Sequence, residues 1–585
     1  MQTFGQLLIN QDLPEEYKFR NVAGKKEIYT NLTAMAKKSP HIYGDKVHQL
    51  KKVGDFFATN QGISVGLDDI EPDYAKRDDI IRRAKKDLRK LKTYRARQER
   101  IVRAQEEGLA LAKKHHGSLT HMAESGGRGS YGQLLKTLVA PISTKGADDT
   151  PTDFLMSKSY SEGVSPSEMW MGATEARREV VKAKISVSAP GDAAKQLVNV
   201  LHKVIVTKED CGTKNGLQMD TNDHNIIGRF TAGDNVLITD QNVSSFIRRG
   251  KSIKVRSPMT CEAQPGVCQK CYGVGSNEKL LDIGTNYGTR AAQAMSEPLT
   301  QMVLSSLHGG NVAKIGADLP LGMAGFQQIV GIPKVFKNES TLALKEGRVT
   351  NVDKMPHGGY TVMVGGQEHF VAPGRRVVVK RGDYIGKGEK ISDGVPNPKD
   401  VTSLRGFGSG RKYLVDTLHK VYEDSGVNMD KRNIETLVRE DLNYVKAKKS
   451  DSDGRFLKHD IVPFNTIKPM IQKTAKRVPF NKSIIGKTLG EDYTHFTTGT
   501  KISPEMYSVM SKDPSHRPDA IAISNEEPMY TPVVTAMERV PTMSQDVVGR
   551  LAHRRLKDSL MEGATKGYET KIEQSPFAQY VFGGF

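Results

Sequence analysis

All four cysteines of this chain fall within residues 211–271: Cys211 in D-C-G-T, then Cys261, Cys268 and Cys271 in T-C-E-A-Q-P-G-V-C-Q-K-C-Y-G. The C-x6-C-x2-C run has the tight spacing that lets neighbouring thiolates face one metal ion, and Cys211 would reach it across the loop 212–260. Four thiolates with no spare position describe a closed tetrahedral zinc site, which is structural and not catalytic. The competing readings are two disulfides or four unrelated buried thiols. Disulfides fit poorly, because the sequence shows no signal peptide and nothing else in it points to an oxidising compartment.

Composition sets wider bounds. A chain of 585 residues is long enough for several packed modules, since single cores stop growing near ~250–300 residues. Hydrophobic residues make up 37% of it, and no apolar run approaches the ~18 residues that would indicate a membrane span, so no membrane partner is expected. The 86 Lys and Arg outnumber the 67 Asp and Glu, giving a formal charge of +19. That excess suits a partner of phosphates tracked without reading bases. A single tryptophan, with no RNP-like aromatic cluster, argues against a stacking-based single-strand binder.

Along the chain, residues 1–60 carry no assignable motif. From Ala75 to Glu107 there is no Gly or Pro, and Ile80, Ile81, Ala84, Leu88, Leu91, Ile101 and Val102 form a helical stripe on a charged background. Gly126, Gly127 and Gly129 make a flexible turn before a short helical run from Tyr131 to Leu138, and G-G-R-G lacks the Lys-Ser/Thr of a P-loop. Residues 141–160 read as a linker by composition. Ser165 to Ala189 is a helix opened by the capping box S-P-S-E and ended by Pro190 and Gly191. Residues 340–395 alternate β-branched residues with Gly turns, the pattern of short antiparallel strands in a small barrel or sandwich. Helices resume at 411–447, and a basic helix is expected near Asp546–Met561, facing nucleic acid or solvent. The fold class is therefore α+β and multi-module.

Residues 288–312, G-T-R-A-A-Q-A-M-S-E-P-L-T-Q-M-V-L-S-S-L-H-G-G-N-V, resemble the stretch entering the trigger loop of the β′ subunit of multisubunit RNA polymerases. The preceding cysteine segment is similar to the second zinc site of bacterial β′. I-S-V-G-L-D-D-I (63–70), M-A-E-S-G-G-R-G-S (122–130), G-I-P-K-V-F (331–336), V-K-R-G-D-Y-I-G-K-G-E-K-I-S-D-G (379–394) and V-N-M-D-K-R-N-I-E-T-L-V-R (427–439) continue it in the same order. The resemblance implies a layout. Residues 1–74 are an N-terminal channel or funnel-like region, 75–120 rim-like helices, 121–164 a glycine-rich support loop and linker, and 165–200 the bridge helix. Residues 201–287 are the zinc module, 288–336 the trigger-loop region, 337–400 the small β domain, and 401–585 a helical clamp and switch-like region.

The resemblance also implies residue roles. Thr300 and Gln301 belong, with Glu297 and Pro298, to the first trigger helix; Leu304 replaces a methionine that packs on the incoming base, and His308 meets the nucleotide's phosphates. Arg177 and Arg178 match the basic segment of the bridge helix, whereas Glu179 and Ala183 depart from a glycine and a threonine, and Ser305 replaces an arginine. The β′ magnesium motif N-A-D-F-D-G-D has no match; Asp451 and Asp453 in D-S-D-G read as a turn. Two-metal nucleotidyl transfer needs those carboxylates. The expectation is a C-terminal β′-like subunit of a DNA-directed RNA polymerase, active only when assembled. Its partners would be β-like and N-terminal β′-like chains, DNA template, RNA product and nucleoside triphosphates; zinc is its own metal, and magnesium is held by another chain. A split β′ of this kind is expected from a large bacteriophage, acting in the bacterial host cytoplasm, with packaging in the virion open. A zinc-stabilised DNA-binding factor is the competing class.

Overall fold

The computed structural model describes all residues except 1–3, 21–22, 61, 63, 147–150, 185–187, 265, 276–278, 309–321, 512–519, 545, 548–549, 551–555 and 569–585. The chain forms two compact units, residues 1–187 with 303–317, and 188–302 with 318–585. Among the described residues no helix is long and apolar enough to cross a membrane.

The first unit is mainly helical. Helices Phe4–Asn10, Lys25–Lys38 and Pro40–Asn60 gather around Leu13, Tyr17, Phe19 and Met35. The charged stripe beyond them is two helices, Tyr74–Leu88 and Tyr94–Lys113. The second starts where the Thr93 hydroxyl accepts from the amide of Ala96. Their apolar faces close on Leu134, Leu135 and Leu138 of helix Tyr131–Leu138. Gly108 permits this approach, since a Cβ there would lie 2.9 Å from side-chain carbons of both Leu135 and Ile142.

Residues 141–160 are not a linker. Strands Ser143–Lys145 and Pro151–Leu155 pair antiparallel, with Ile142, Ser143, Thr144 and Met156 buried. The Ser/Thr-rich composition does not mark a linker here, because Thr144 and Thr152 turn their hydroxyls to each other across the pair at 2.8 Å. The capping box is present at helix Pro166–Lys184, where the Glu168 carboxylate accepts from the Ser165 amide (2.9 Å). Glu168 also accepts from the amide and hydroxyl of Ser157. Burial works against its charge, but these donors outweigh it and hold the carboxyl down to about 2.

The chain does not leave the helical state at Pro190 and Gly191. A second helix runs Ser188–Leu201 with both residues in its first turn, where a proline's missing N–H has no intrahelical partner to lose.

In the second unit, residues 347–385 form a four-stranded sheet in which the strands from Gly347, Tyr360 and Gln367 run as a meander. With isolated bridges such as Leu342–Lys390 and Val377–Ser392 it makes a half-barrel over Val349, Val362, Val364 and Ile391. Helices Phe407–Asp424 and Lys431–Asp441 follow, then two three-stranded sheets. Asp451 and Asp453 lie in a turn, where both pair with Arg455. The basic run expected near 546–561 falls largely outside the described residues.

Candidate metal centre

The four cysteines come from three backbone pieces that fold onto one another. Strand Val206–Lys208 pairs in parallel with Val267–Cys268, which carries the D-C-G-T segment alongside the knuckle. Cys268 caps the single turn Gln269–Tyr272, and its sulfur accepts from the Cys271 amide at 3.3 Å. Cys261 follows the turn Pro258–Thr260, and its sulfur accepts from the amides of Ala263 (3.4 Å) and Cys268 (3.3 Å). Gly273, the glycine of C-Y-G, has φ +85°, and a Cβ there would stand 2.1 Å from the Gly228 carbonyl oxygen. Only glycine lets the chain turn away from the knuckle at that approach.

All four cysteines are free of disulfides, and their sulfurs lie within 4.8 Å of one another. Cys211 and Cys271 are 3.6 Å apart. Around a tetrahedral ion with ~2.3 Å bonds, sulfurs stand roughly 3.8 Å apart, so the donor set and its spacing fit zinc. Cys261, Cys268 and Cys271 are buried, and Cys211 is partly exposed. Hydrogen bonds from Cys261, Cys268 and Cys271 hold the Cys211 thiol far below its ordinary range, while the same crowding raises Cys271. A divalent cation is what allows four such sulfurs to be thiolates together.

A helix far along the chain holds these loops in place. Glu435 of Lys431–Asp441 makes a two-pronged pair with Arg229 (2.7 and 2.8 Å) and accepts from the Ser257 hydroxyl at 2.6 Å. Arg432 donates to the carbonyls of Val274 (2.7 Å) and Tyr272 (3.1 Å), and Arg439 to that of Ala263 (2.9 Å). The loop carbonyls that the turns around the cysteines leave unpaired are thereby satisfied. The antiparallel pair Leu217–Asp220 with Ser252–Val255 delivers Arg256 to the cluster, where it meets Asp210 at 2.6 Å. That guanidinium, with the Gly212 amide and Lys270, holds the Asp210 carboxyl down to about 2. Arg229 and Arg256 stand outside every motif of the sequence, and Arg432, Glu435 and Arg439 belong to the run 427–439, whose one signal is its resemblance.

The other expected site residues lie on two helices. Thr300 and the exposed Gln301 lie on helix Tyr287–His308, where Gln301 donates to Glu297 at 2.6 Å. The helix continues through Pro298, forgoing one backbone bond. Leu304 and His308 belong to its last turns; their side chains, and the Gly-Gly that follows, lie outside the described residues. Arg177 is exposed on helix Pro166–Lys184, whereas the side chains of Arg178 and Ala183 lie outside the described residues.

Residues 163–355 match the family described as RNA polymerase Rpb1, domain 5. That span holds helix Pro166–Lys184, the four cysteines and helix Tyr287–His308. The relatives that match beyond this span are β′ subunits of DNA-directed RNA polymerases. That of Streptomyces avermitilis is 27% identical over 79% of this chain and 39% of its own length. That of Chloroflexus aggregans is 26% identical over 77% and 39%, and that of Clostridium botulinum 27% over 77% and 43%. The similarity is to the C-terminal region of β′, and the chain spans about two fifths of the length of the curated relatives it matches.

Proposed function

We propose that this chain is the C-terminal β′-like part of a DNA-directed RNA polymerase and works only within the assembled enzyme. The observation that carries the reading is the matched span 163–355, along which a long capped helix, a four-cysteine cluster and a helix that includes His308 follow one another. In this reading Pro166–Lys184 is the bridge helix, with Arg177, Arg178 and Ala183 along the cleft. Tyr287–His308 leads into the trigger loop, with Thr300, Gln301, Leu304 and His308 toward the incoming nucleotide. An imidazole there can hold a proton or a positive charge against a triphosphate near neutral pH. The cysteines hold zinc, which cross-links the loops of its module and takes no part in the chemistry. Catalytic magnesium is bound by aspartates outside these 585 residues, as the missing N-A-D-F-D-G-D run requires. In a split β′ such as that of a large phage, those aspartates sit on a separate polypeptide.

Native purification tests the assembly: β-like chains and an aspartate-bearing β′ fragment are expected to accompany this one. Recovery of a lone DNA-bound chain would favour a zinc-stabilised DNA-binding factor. Within the assembled enzyme, His308→Ala is expected to slow single-nucleotide addition by on the order of 10²-fold while leaving DNA binding intact. A wild-type rate would remove His308 from the nucleotide site.

A further inference from the structure

Arg256 is fully buried against the cysteine cluster, yet none of the motifs includes it. Its Nη2 lies 3.3 Å from the sulfur of Cys211, 3.4 Å from that of Cys271 and 3.8 Å from that of Cys268. These distances suit N–H···S hydrogen bonds and exceed the ~2.3 Å of a zinc–sulfur bond. The guanidinium therefore caps the face made by these three sulfurs and leaves the centre for an ion. The fourth sulfur, on Cys261, is served by backbone amides instead. Two further bonds fix the cap: Nη2 to Asp210 Oδ1 at 2.6 Å and Nη1 to Asn235 Oδ1 at 2.7 Å. Lys270 approaches the other oxygen of Asp210 at 3.0 Å.

Charge explains what such a residue does. Four thiolates around a divalent ion carry a net −2, and three of these cysteines are buried. An uncompensated buried charge is strongly unfavourable, and a guanidinium in contact reduces it. The two N–H groups of Nη2 are shared between Asp210 and the sulfurs while Nη1 reaches Asn235, a division that the two ends of a planar fork allow and a single ammonium does not. We propose that Arg256 is an outer-sphere donor to the metal centre, bonding the Cys211 and Cys271 thiolates and slowing loss of the ion. It is a positioning residue and binds no metal itself.

The inference rests on the zinc reading, and the experiment separates the two. The full chain is purified and its zinc measured, and release to the chromogenic chelator 4-(2-pyridylazo)resorcinol is timed under native conditions. One zinc per chain is expected; none in the wild type would overturn the site and this role together. Arg256→Gln should release zinc at least ~10-fold faster, the usual scale for losing a partner of a metal ligand. With cobalt in the site, its thiolate-to-metal charge-transfer band should move to lower energy, because sulfurs without N–H donors are better electron donors. Arg256→Lys should fall between the two, and it serves as the test if the glutamine variant does not fold. Wild-type release and an unmoved band in a folded variant would leave Arg256 as no more than the salt-bridge partner of Asp210.

Discussion

Asp441 and Glu440, adjacent in the last turn of helix Lys431–Asp441, show how a neighbour decides whether a buried carboxyl keeps its charge. Burial works against Glu440, yet Lys203 at 3.0 Å and the nearby Arg439 keep it ionised below the ordinary range. Asp441 has an oxygen with no partner, and burial alone pushes it up from 3.8 to about 7. It also sits at the negative end of a helix dipole. Because the folded state holds this proton more tightly than the unfolded one, the linked loss of stability sets in as pH rises above ~4 and is complete a little above 7. Asp441→Asn should therefore raise the unfolding free energy of the isolated chain by about 1–3 kcal/mol at pH 8, with the gain shrinking toward pH 4. Thermal melts across that range read it directly, and a pH-independent difference would mean the carboxyl is not buried as described.

At the scale of elements, helix Lys431–Asp441 ties the cysteine loops to the rest of their unit through Glu435, Arg432 and Arg439. Glu435→Ala would strand Arg229, which is fully buried, and breaking such a pair costs about 3–5 kcal/mol. The same coupling predicts that stripping the metal proposed for the cysteines will raise amide exchange in 258–274 and also in 431–441. The sheet from Gly347 to Val371, which has its own core, should keep its protection. Uniform loss in all three would show that the unit unfolds as one. The sequence made legible the elements with local signals: the run Tyr131–Leu138 after its glycine turn, the box Ser165–Glu168, and the short cysteine spacing. It hid what depends on distant partners. Glu435 reads as an ordinary helix-surface charge until Arg229 is placed opposite it, and Arg256 as one arginine among many until strand Ser252–Val255 carries it inward. The 143–155 hairpin was hidden for a related reason, since Thr144 and Thr152 bond each other across the strand pair and Asp153 pairs with Arg97 of a neighbouring helix.

For the whole molecule, the surplus of +19 bears on partners more than on the fold. Many of its basic side chains are already engaged, as the exposed Arg83 is with Asp79 and the mostly buried Arg100 with Asp87, and exposed pairs of the first kind contribute little to stability. What remains unneutralised attracts polyanions, and the energy comes largely from counterions released from the nucleic acid. A chain that tracks phosphates in this way has a testable signature. The isolated protein should bind duplex DNA of unrelated sequences with similar affinity, and the logarithm of that affinity should fall linearly with the logarithm of salt concentration. Each phosphate neutralised adds ~0.9 to the slope, so six to ten contacts would weaken binding about 10³–10⁵-fold between 50 and 200 mM salt. With one tryptophan in the chain, little preference among homopolymeric single strands is expected from stacking. Fluorescence anisotropy over a salt series measures both. Binding that ignored salt would assign recognition to base contacts, and no binding even at 50 mM would mean that the surplus charge is used against protein partners instead.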